Sequence, residues 1–292
     1  MHRRPLPDLG GMRIDLHMHS TASDGELPPG ELMLRARAAG LGLVALTDHD
    51  SAEGVPDATK AAAEVGLAVV PASELSSTWE GRDVHILGYG IDPEAAAIVT
   101  RGRTARRRRR ARMVTMVDRL REAGVAVGMA DVERAAGRGR VMIGRPHLAR
   151  ALVDVGAVAS VVEAFDTLIG DGHPAFVPTD LGSPRDAIEA VIAAGGIPVW
   201  AHPPGDQLRT LLATLVEAGL QGLEAYRAGW SARRSRQVVG AAREHGLCVT
   251  GGSDWHGPDR GGGLGDFWVT PRRIRAFLDL LGDRVDLPPG TH

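Results

Sequence analysis

The feature that most constrains this chain is a short apolar run, Ile14 to Ser20, that contains two histidines near its end. His17 and His19 are two residues apart, so on a strand both imidazoles face the same side and can reach one point in space. Asp24 follows His19 after five residues. Further apolar runs also carry a metal-competent side chain at or near one end: His49, Glu74, His85, His202, Asp254 and His256.

Strand-like and helix-like segments alternate through much of the chain. Apolar runs at 41–47 and 67–72 predict strands, and the segments 31–39 and 51–65 predict the helices that flank them, ending at Gly40 and Gly66. Such alternation favours a parallel sheet covered by helices, which can close into a barrel. Barrels of this kind gather their active residues at the C-terminal ends of the strands, where the side chains above fall.

The alternation stops after residue 91, and residues 94–172 have helical patterning without a strong strand. We therefore expect an α/β protein with a discontinuous barrel at 13–91 and 175–282 and an inserted helical cap subdomain at 92–174. Residues 1–12 and 283–292 are expected to be flexible termini. The arginine-rich stretch 101–112 favours a solvated helix face, with an RNA-binding strip as the alternative.

Composition sets outer bounds on the kind of protein. The chain has 292 residues, a net charge of −2 and one cysteine, Cys248, so a disulfide framework is excluded and no general polyanion binding is indicated. No run of 18 apolar residues exists, and residues 1–12 lack the apolar centre of a signal peptide. We expect a soluble cytoplasmic protein.

The candidate ligands comprise six of the eleven histidines and three carboxylates. Imidazole and carboxylate together suit manganese, iron or zinc, and carboxylates can bridge two ions. Nine ligands exceed what one ion takes, so two or three divalent ions are expected. Ions about 3.5–4 Å apart can stabilise both the attacking and the leaving oxygen of a phosphoryl displacement.

The ordered motifs His17-x-His19, Thr47-Asp48-His49-Asp50, Glu74, His85, His202-Pro203 and Ser253-Asp254-x-His256 resemble those of the PHP (polymerase and histidinol phosphatase) family. The resemblance implies a distorted seven-stranded (β/α) barrel and a trinuclear metal centre that hydrolyses phosphoesters. Mn²⁺ is the expected metal, with Fe²⁺, Zn²⁺ or Mg²⁺ as alternatives. The implied ligands are His17, His19, Asp24, His49, Glu74, His85, His202, Asp254 and His256, with Glu74 as a bridge.

The segment 143–150 of the insert, followed by 174–178, resembles a subgroup that removes the 3′-phosphate of nucleoside 3′,5′-bisphosphates and has relatives that trim RNA from the 5′ end. In that subgroup the insert caps the barrel mouth, and Arg145 and His147 would meet substrate phosphate. His173 is the third candidate for substrate binding, and it stands where the subgroup usually has a lysine. A neutral histidine at this position would bind phosphate more weakly than a lysine. A structural arginine at 145 and a helix-terminal histidine at 147 are the alternatives.

The expected reaction is hydrolysis of the phosphomonoester by metal-activated water, with Arg145 holding a phosphate. Asp48, His256 and a water molecule are the candidates for protonating the leaving group. A histidinol-phosphate phosphatase is the alternative within the same chemistry, and a non-catalytic metal-binding or polymerase-associated module is the alternative of another class. The expected partners are a nucleotide or short RNA, with neither a membrane nor an obligate protein partner.

Overall fold

The computed structural model of the chain describes residues 10–137, 142–178, 180–258 and 262–286. Its centre is a sheet of seven strands that follow one another in chain order. The strands are β1 (Ile14–Met18), β2 (Leu43–Leu46), β3 (Ala68–Trp79), β4 (Arg82–Tyr89), β5 (Ile197–Trp200), β6 (Gly222–Arg227) and β7 (Cys248–Gly252).

All neighbouring strands pair in parallel except at β4, which is antiparallel to both β3 and β5. Only Glu80 and Gly81 join β3 to β4, and a connection this short makes a hairpin, because a parallel crossover needs a dozen residues or more. The parallel sheet expected from the alternation therefore contains one antiparallel strand. The reversal also brings the first residues of β4 to the edge where the parallel strands end.

Helices cover the outside of the sheet and form most of the segment between β4 and β5. They are α1 (Pro29–Ala38), α2 (Val55–Val65), α3 (Ala96–Glu122), α4 (Met129–Ala136), α5 (Arg145–Asp154), α6 (Val161–Ala164), α7 (Pro184–Ala193), α8 (Gln207–Thr210), α9 (Leu212–Glu217), α10 (Ala232–Glu244) and α11 (Arg275–Leu281). A π-helix spans Phe165–Ile169 and a 3-10 helix spans Pro271–Ile274. The helix expected at 51–65 begins later, at Val55, with Pro56 in its first turn, where proline is favoured.

The sheet closes where β7 meets β1. Asp254 N donates to His17 O at 2.8 Å, and Met18 pairs with Trp255 in a parallel bridge. Gly252 allows this approach, because a Cβ there would collide with the backbone of His17. The interior is apolar: Leu43 and Ala45 pack inward, while Val44 and Leu46 pack outward against α1 and α2. The α/β barrel expected from the sequence is confirmed.

The helices from α3 to the π-helix bury an apolar cluster of their own, which includes Met113, Leu120, Leu148 and Leu152. Near the other end of the chain, Asp286 exchanges two backbone hydrogen bonds with Val69 of β3. Most of the expected flexible termini, residues 1–9 and 287–292, lie outside the described residues. Within the described ranges, no helix is long and apolar enough to cross a lipid bilayer.

Candidate metal centre and substrate cavity

The nine predicted metal ligands come together at one end of the barrel. His17 lies in β1 and His19 just after it, His49 follows β2, and His202 follows β5. Glu74 lies within β3, and His85 reaches the same edge because β4 runs in the opposite direction. Asp254 and His256 follow β7, where Asp254 and also His202 have the left-handed backbone that is uncommon for residues other than glycine.

The carboxylate of Glu74 lies at the middle of this cluster and is fully buried. Imidazole nitrogens approach both of its oxygens. Oε1 lies 2.9 Å from His85 Nδ1 and 3.1 Å from His202 Nε2. Oε2 lies between 3.1 and 3.3 Å from ring nitrogens of His17, His19 and His49. One carboxylate with donors on both oxygens is the arrangement that can bridge two cations.

The potential ligand atoms form three overlapping groups, within each of which the atoms lie no more than 4.8 Å apart. The groups are His19, Asp24, His49 and His256; His17, His19, Glu74 and Asp254; and His49, Glu74 and His85. His17 Nε2 and His19 Nε2 are only 3.1 Å apart, and both lie within 3.3 Å of Asp254 Oδ1. Two buried nitrogens this close to shared carboxylates fit a site built for cations.

The electrostatics around His17, His19 and Glu74 also favour positive charge. Burial alone would lower the pKa of His17, but Glu224, Asp254 and Glu74 raise it well above its usual value. The pKa of His19 is raised to about 9 against the effect of burial, through Asp254 and Glu74. Burial would raise the pKa of Glu74, yet the surrounding histidines hold it well below its usual range. The donor set and its charge therefore suit divalent ions such as manganese, iron or zinc.

Two acidic residues that were not singled out in the sequence support the cluster from behind. Glu224 of β6 is fully buried; its Oε1 lies 2.8 Å from His17 Nδ1, and its Oε2 accepts the backbone N–H of His202 at 2.8 Å. Asp15 accepts the backbone N–H of Ser253 at 2.8 Å, and burial raises its pKa to about 6. Carboxylates that hold ligating histidines in orientation are common behind metal sites. Strand periodicity alone could not separate Glu224 from an ordinary strand residue.

Asp48 is buried, and its carboxylate accepts three hydrogen bonds from the loop after β1. The donors are Ser20 N at 2.8 Å, Ser20 Oγ at 2.6 Å and Ser23 Oγ at 2.6 Å. This arrangement fixes the loop that carries Asp24. His256, the other residue considered for protonating the leaving group, stacks on His19 at a centroid distance of 4.0 Å and lies 3.3 Å from Asp24.

A cavity of about 240 Å³ opens beside the cluster, and its wall includes Asp24, His49 and His85. Its opposite wall comes from the inserted helices and contains three arginines, Arg109, Arg112 and Arg145. The metal-ligand candidates and a group of cations therefore face the same small space.

The three arginines are held in different ways. Arg109 pairs with buried Asp50 at 2.8 Å and donates to Ser76 Oγ at 2.6 Å. Arg112 donates to the carbonyl oxygen of Val177 at 2.6 Å, and burial together with the charge of Arg145 lowers its pKa to about 10.

Arg145, the predicted phosphate ligand, pairs with Asp171 at 2.5 Å, and its guanidinium lies 5.7 Å from the ring of Phe165 and 5.4 Å from that of Phe176. The expected solvated face therefore does not include every residue of the arginine run, because Arg109 and Arg112 turn inward. Helical spacing could have grouped these two residues, but it could not tell which face meets the barrel.

The other two substrate-binding candidates occupy different positions. His147 is fully buried, and its Nδ1 accepts the backbone N–H of Gly144 at 3.0 Å, which caps the start of α5. His173 is half-buried in the turn after the π-helix, where its backbone N–H donates to Gly170 O at 3.0 Å. Neither residue is part of the cavity wall.

A barrel with this cluster at the C-terminal ends of its strands is that of a metal-dependent hydrolase, and comparison with known proteins agrees. Residues 15–131 match the PHP domain. A 3′,5′-nucleoside bisphosphate phosphatase from Chromobacterium violaceum is 39% identical over 254 residues, which cover 85% of this chain and 89% of that protein. A 5′-3′ exoribonuclease from Haemophilus influenzae is 37% identical over 254 residues, covering 84% and 90%.

A solved structure from Bifidobacterium adolescentis, assigned as a metal-dependent phosphoesterase, superposes with a TM-score of 0.82 at 32% identity and covers 93% of this chain and 97% of that one. The chain therefore belongs to the PHP family of phosphoesterases, and it is a hydrolase. This similarity confirms the family resemblance seen in the motifs and the expected class of chemistry, hydrolysis. The alternative hypothesis of a non-catalytic module is therefore rejected.

Proposed function

We propose that the enzyme removes the 3′-phosphate of nucleoside 3′,5′-bisphosphates and releases nucleoside 5′-monophosphate and phosphate. The observation that carries this proposal is the cavity in which three arginines face Asp24, His49 and His85. A bisphosphate has two anionic groups, one for the metal cluster and one for the arginines. Histidinol phosphate has one phosphate and an amine, and the three arginines outnumber the two carboxylates of the described cavity wall, Asp24 and Asp83, which disfavours an amine.

The nine residues of the cluster, with Glu74 at its centre, would hold two or three divalent ions, Mn²⁺ first among them. When bound, the ions would supply Lewis-acid stabilisation of the phosphoryl oxygens and an activated water. Glu224 and Asp15 would keep the histidines and the β7 loop in place for that role.

Arg145 would hold the remote 5′-phosphate, and Arg112 would add a second cation at the same position. Burial, together with repulsion from Arg145, lowers the pKa of Arg112, and a bound dianion would relieve the repulsion. The aromatic rings of Phe165 and Phe176 orient the guanidinium of Arg145. In the reaction, water adds to the phosphorus, the bond from phosphorus to the 3′-oxygen breaks, and that oxygen gains a proton.

We further propose that residues 92–174 act as a cap over the barrel formed by 13–91 and 175–282. The cap would provide all three cavity arginines, while the barrel provides the metal ligands. Buried contacts such as Arg109 with Asp50 support a fixed position of α3 over the barrel mouth.

Short RNA with a 5′-phosphate is a second substrate class supported by the same chemistry. Cleavage after the first nucleotide breaks the same phosphorus to 3′-oxygen bond, and the phosphate then stays on the 5′-oxygen of the next nucleotide. The similarity to an exoribonuclease supports this extension.

The proposal is tested by phosphate release from adenosine 3′,5′-bisphosphate, 3′-AMP, 5′-AMP and histidinol phosphate with Mn²⁺ added. We expect the highest kcat/KM for the bisphosphate and a much lower value for each monophosphate. A preference for histidinol phosphate would overturn the proposed substrate and leave the phosphoesterase chemistry intact.

A further inference from the structure

A second depression, here called the α10 groove, lies between α10, the end of β6 and the segment around Phe267 and Arg273. Its volume is about 650 Å³. It shares no described lining residue with the cavity that contains Arg145. The proposed phosphatase reaction makes no use of it.

The groove combines cations with aromatic rings. Four arginines line it, Arg227, Arg236, Arg243 and Arg273, and no carboxylate is among its described lining residues. Three aromatic side chains, Tyr226, Trp230 and Phe267, line it as well. The whole chain has a net charge of −2, so this concentration of positive charge is local. Arginines interleaved with rings fit a polyanion that also offers flat apolar faces.

One face of α10 forms the floor of the groove. Its lining positions, 232, 235, 236, 239, 240 and 243, recur at helical spacing, and most of their side chains are small. Arg236 and Arg243 lie two turns apart on this face, about 10 Å along the helix axis. Both are exposed, and neither makes an ion pair within the described part of the chain. The groove therefore has space and uncompensated charge.

The α10 groove and the cavity adjoin the candidate metal centre through different residues. Arg227, which lines the groove, forms an ion pair with Asp254, one of the proposed ligands. The cavity instead meets the cluster at Asp24, His49 and His85. A substrate that places its 5′-phosphate in the cavity and extends past the scissile phosphate toward Asp254 would meet Arg227 and the groove.

We propose that the α10 groove binds the nucleotides on the 3′ side of the scissile phosphate in single-stranded RNA. Bases would stack on the aromatic rings, and Arg236 and Arg243 would contact backbone phosphates. This inference rests on the proposed function, because it extends the same substrate beyond the phosphate that is cleaved. A nucleoside bisphosphate ends at that phosphate, so it needs no groove.

The test compares a 5′-phosphorylated RNA decamer with adenosine 3′,5′-bisphosphate in the double variant Arg236→Ala/Arg243→Ala. We expect kcat/KM for the decamer to fall about tenfold through KM, with the bisphosphate value within about twofold of the wild type. The slope of log binding constant against log salt should become shallower by about 1.4, which corresponds to two lost phosphate contacts. Binding is measured separately, by fluorescence anisotropy of labelled RNA in EDTA.

The matched control is Arg233→Ala/Arg272→Ala. It removes the same charge from α10 and the 3-10 helix, at exposed positions outside the groove. A second probe, Gly240→Leu, fills the groove without changing charge, since a Cβ at Gly240 meets no atom within 4 Å. It should weaken decamer binding and spare the bisphosphate.

Equal losses in the groove variant and its control would overturn the inference, as would tight binding of an acidic peptide that RNA does not displace. RNA binding in the groove without hydrolysis of any nucleotide would support the groove and reject the proposed function. Hydrolysis of the bisphosphate, with RNA binding unchanged in the groove variants, would support the proposed function and reject the groove as an RNA site.

Discussion

The barrel end and the inserted helices face each other across one cavity, and they contribute opposite chemistry. The barrel end supplies imidazoles and carboxylates, held by strand positions and by buried partners such as Glu224. The insert supplies arginines from α3 and α5, and the contacts that hold them include those to Asp50, Val177 and Asp171. In the proposed function, the barrel side of the cavity therefore sets the type of reaction, and the inserted side sets the choice of substrate.

The largest expected effect is on the barrel side. Glu74→Gln keeps the shape of the side chain but removes the charge that five histidines surround. We expect activity to fall about 10³-fold, at the upper end of what loss of one electrostatic group costs, together with loss of bound metal. Phosphate release and elemental analysis measure the two effects, with exposed Glu64→Gln as the control. Full metal content and near-normal turnover in Glu74→Gln would contradict the assignment of Glu74 as a metal ligand.

A smaller effect on activity is expected at Glu224, which contacts the candidate ligand His17. Glu224→Gln weakens the hydrogen bond that orients His17, so metal affinity should drop about 10–100-fold while the fold is kept. Activity measured against Mn²⁺ concentration should recover at high metal. Exposed Glu217→Gln should leave the titration unchanged. A loss that excess metal does not restore would mean that Glu224 acts in another way.

The sequence predicted the barrel side of the cavity better than the inserted side. Strand alternation and the positions of His17, His19 and Glu74 predicted the barrel and the residues that meet at its end, because period-2 geometry and strand direction fix where those side chains point. Arg109 and Arg112 were assigned to a solvated face, since a helix pattern does not state which face meets a distant strand. Glu224 was missed for the same reason: its role depends on a contact 207 positions away in the chain.

On the side of the insert, one arginine can be compared with its neighbour. Arg112→Ala should raise KM for the bisphosphate about tenfold, the cost of one hydrogen bond of about 1.5 kcal/mol to a charged group. Arg110→Ala removes the same charge from the other face of α3, where Arg110 pairs with Glu133 on the surface, and should change KM less than about twofold. Steady-state kinetics decides, and equal effects would place Arg112 outside substrate binding.

The smallest effect concerns Cys248 of β7, inside the barrel. Burial raises the pKa of its thiol to about 12, so only about 10⁻⁴ of it is ionised at pH 8. Thiol reagents should therefore label the native protein very slowly and the urea-unfolded protein at once. Rapid labelling in the native state would indicate that the barrel side opens more readily than its packing implies.

The most direct test of the division between the two sides is kcat/KM for adenosine 3′,5′-bisphosphate and for 3′-AMP, in the wild type and in Arg145→Ala. If Arg145 holds the remote phosphate, its loss should lower the bisphosphate value about 10–100-fold and barely change the value for 3′-AMP, which lacks that phosphate. An equal loss on both substrates would contradict the account, because Arg145 would then act at the phosphate that is cleaved or in folding.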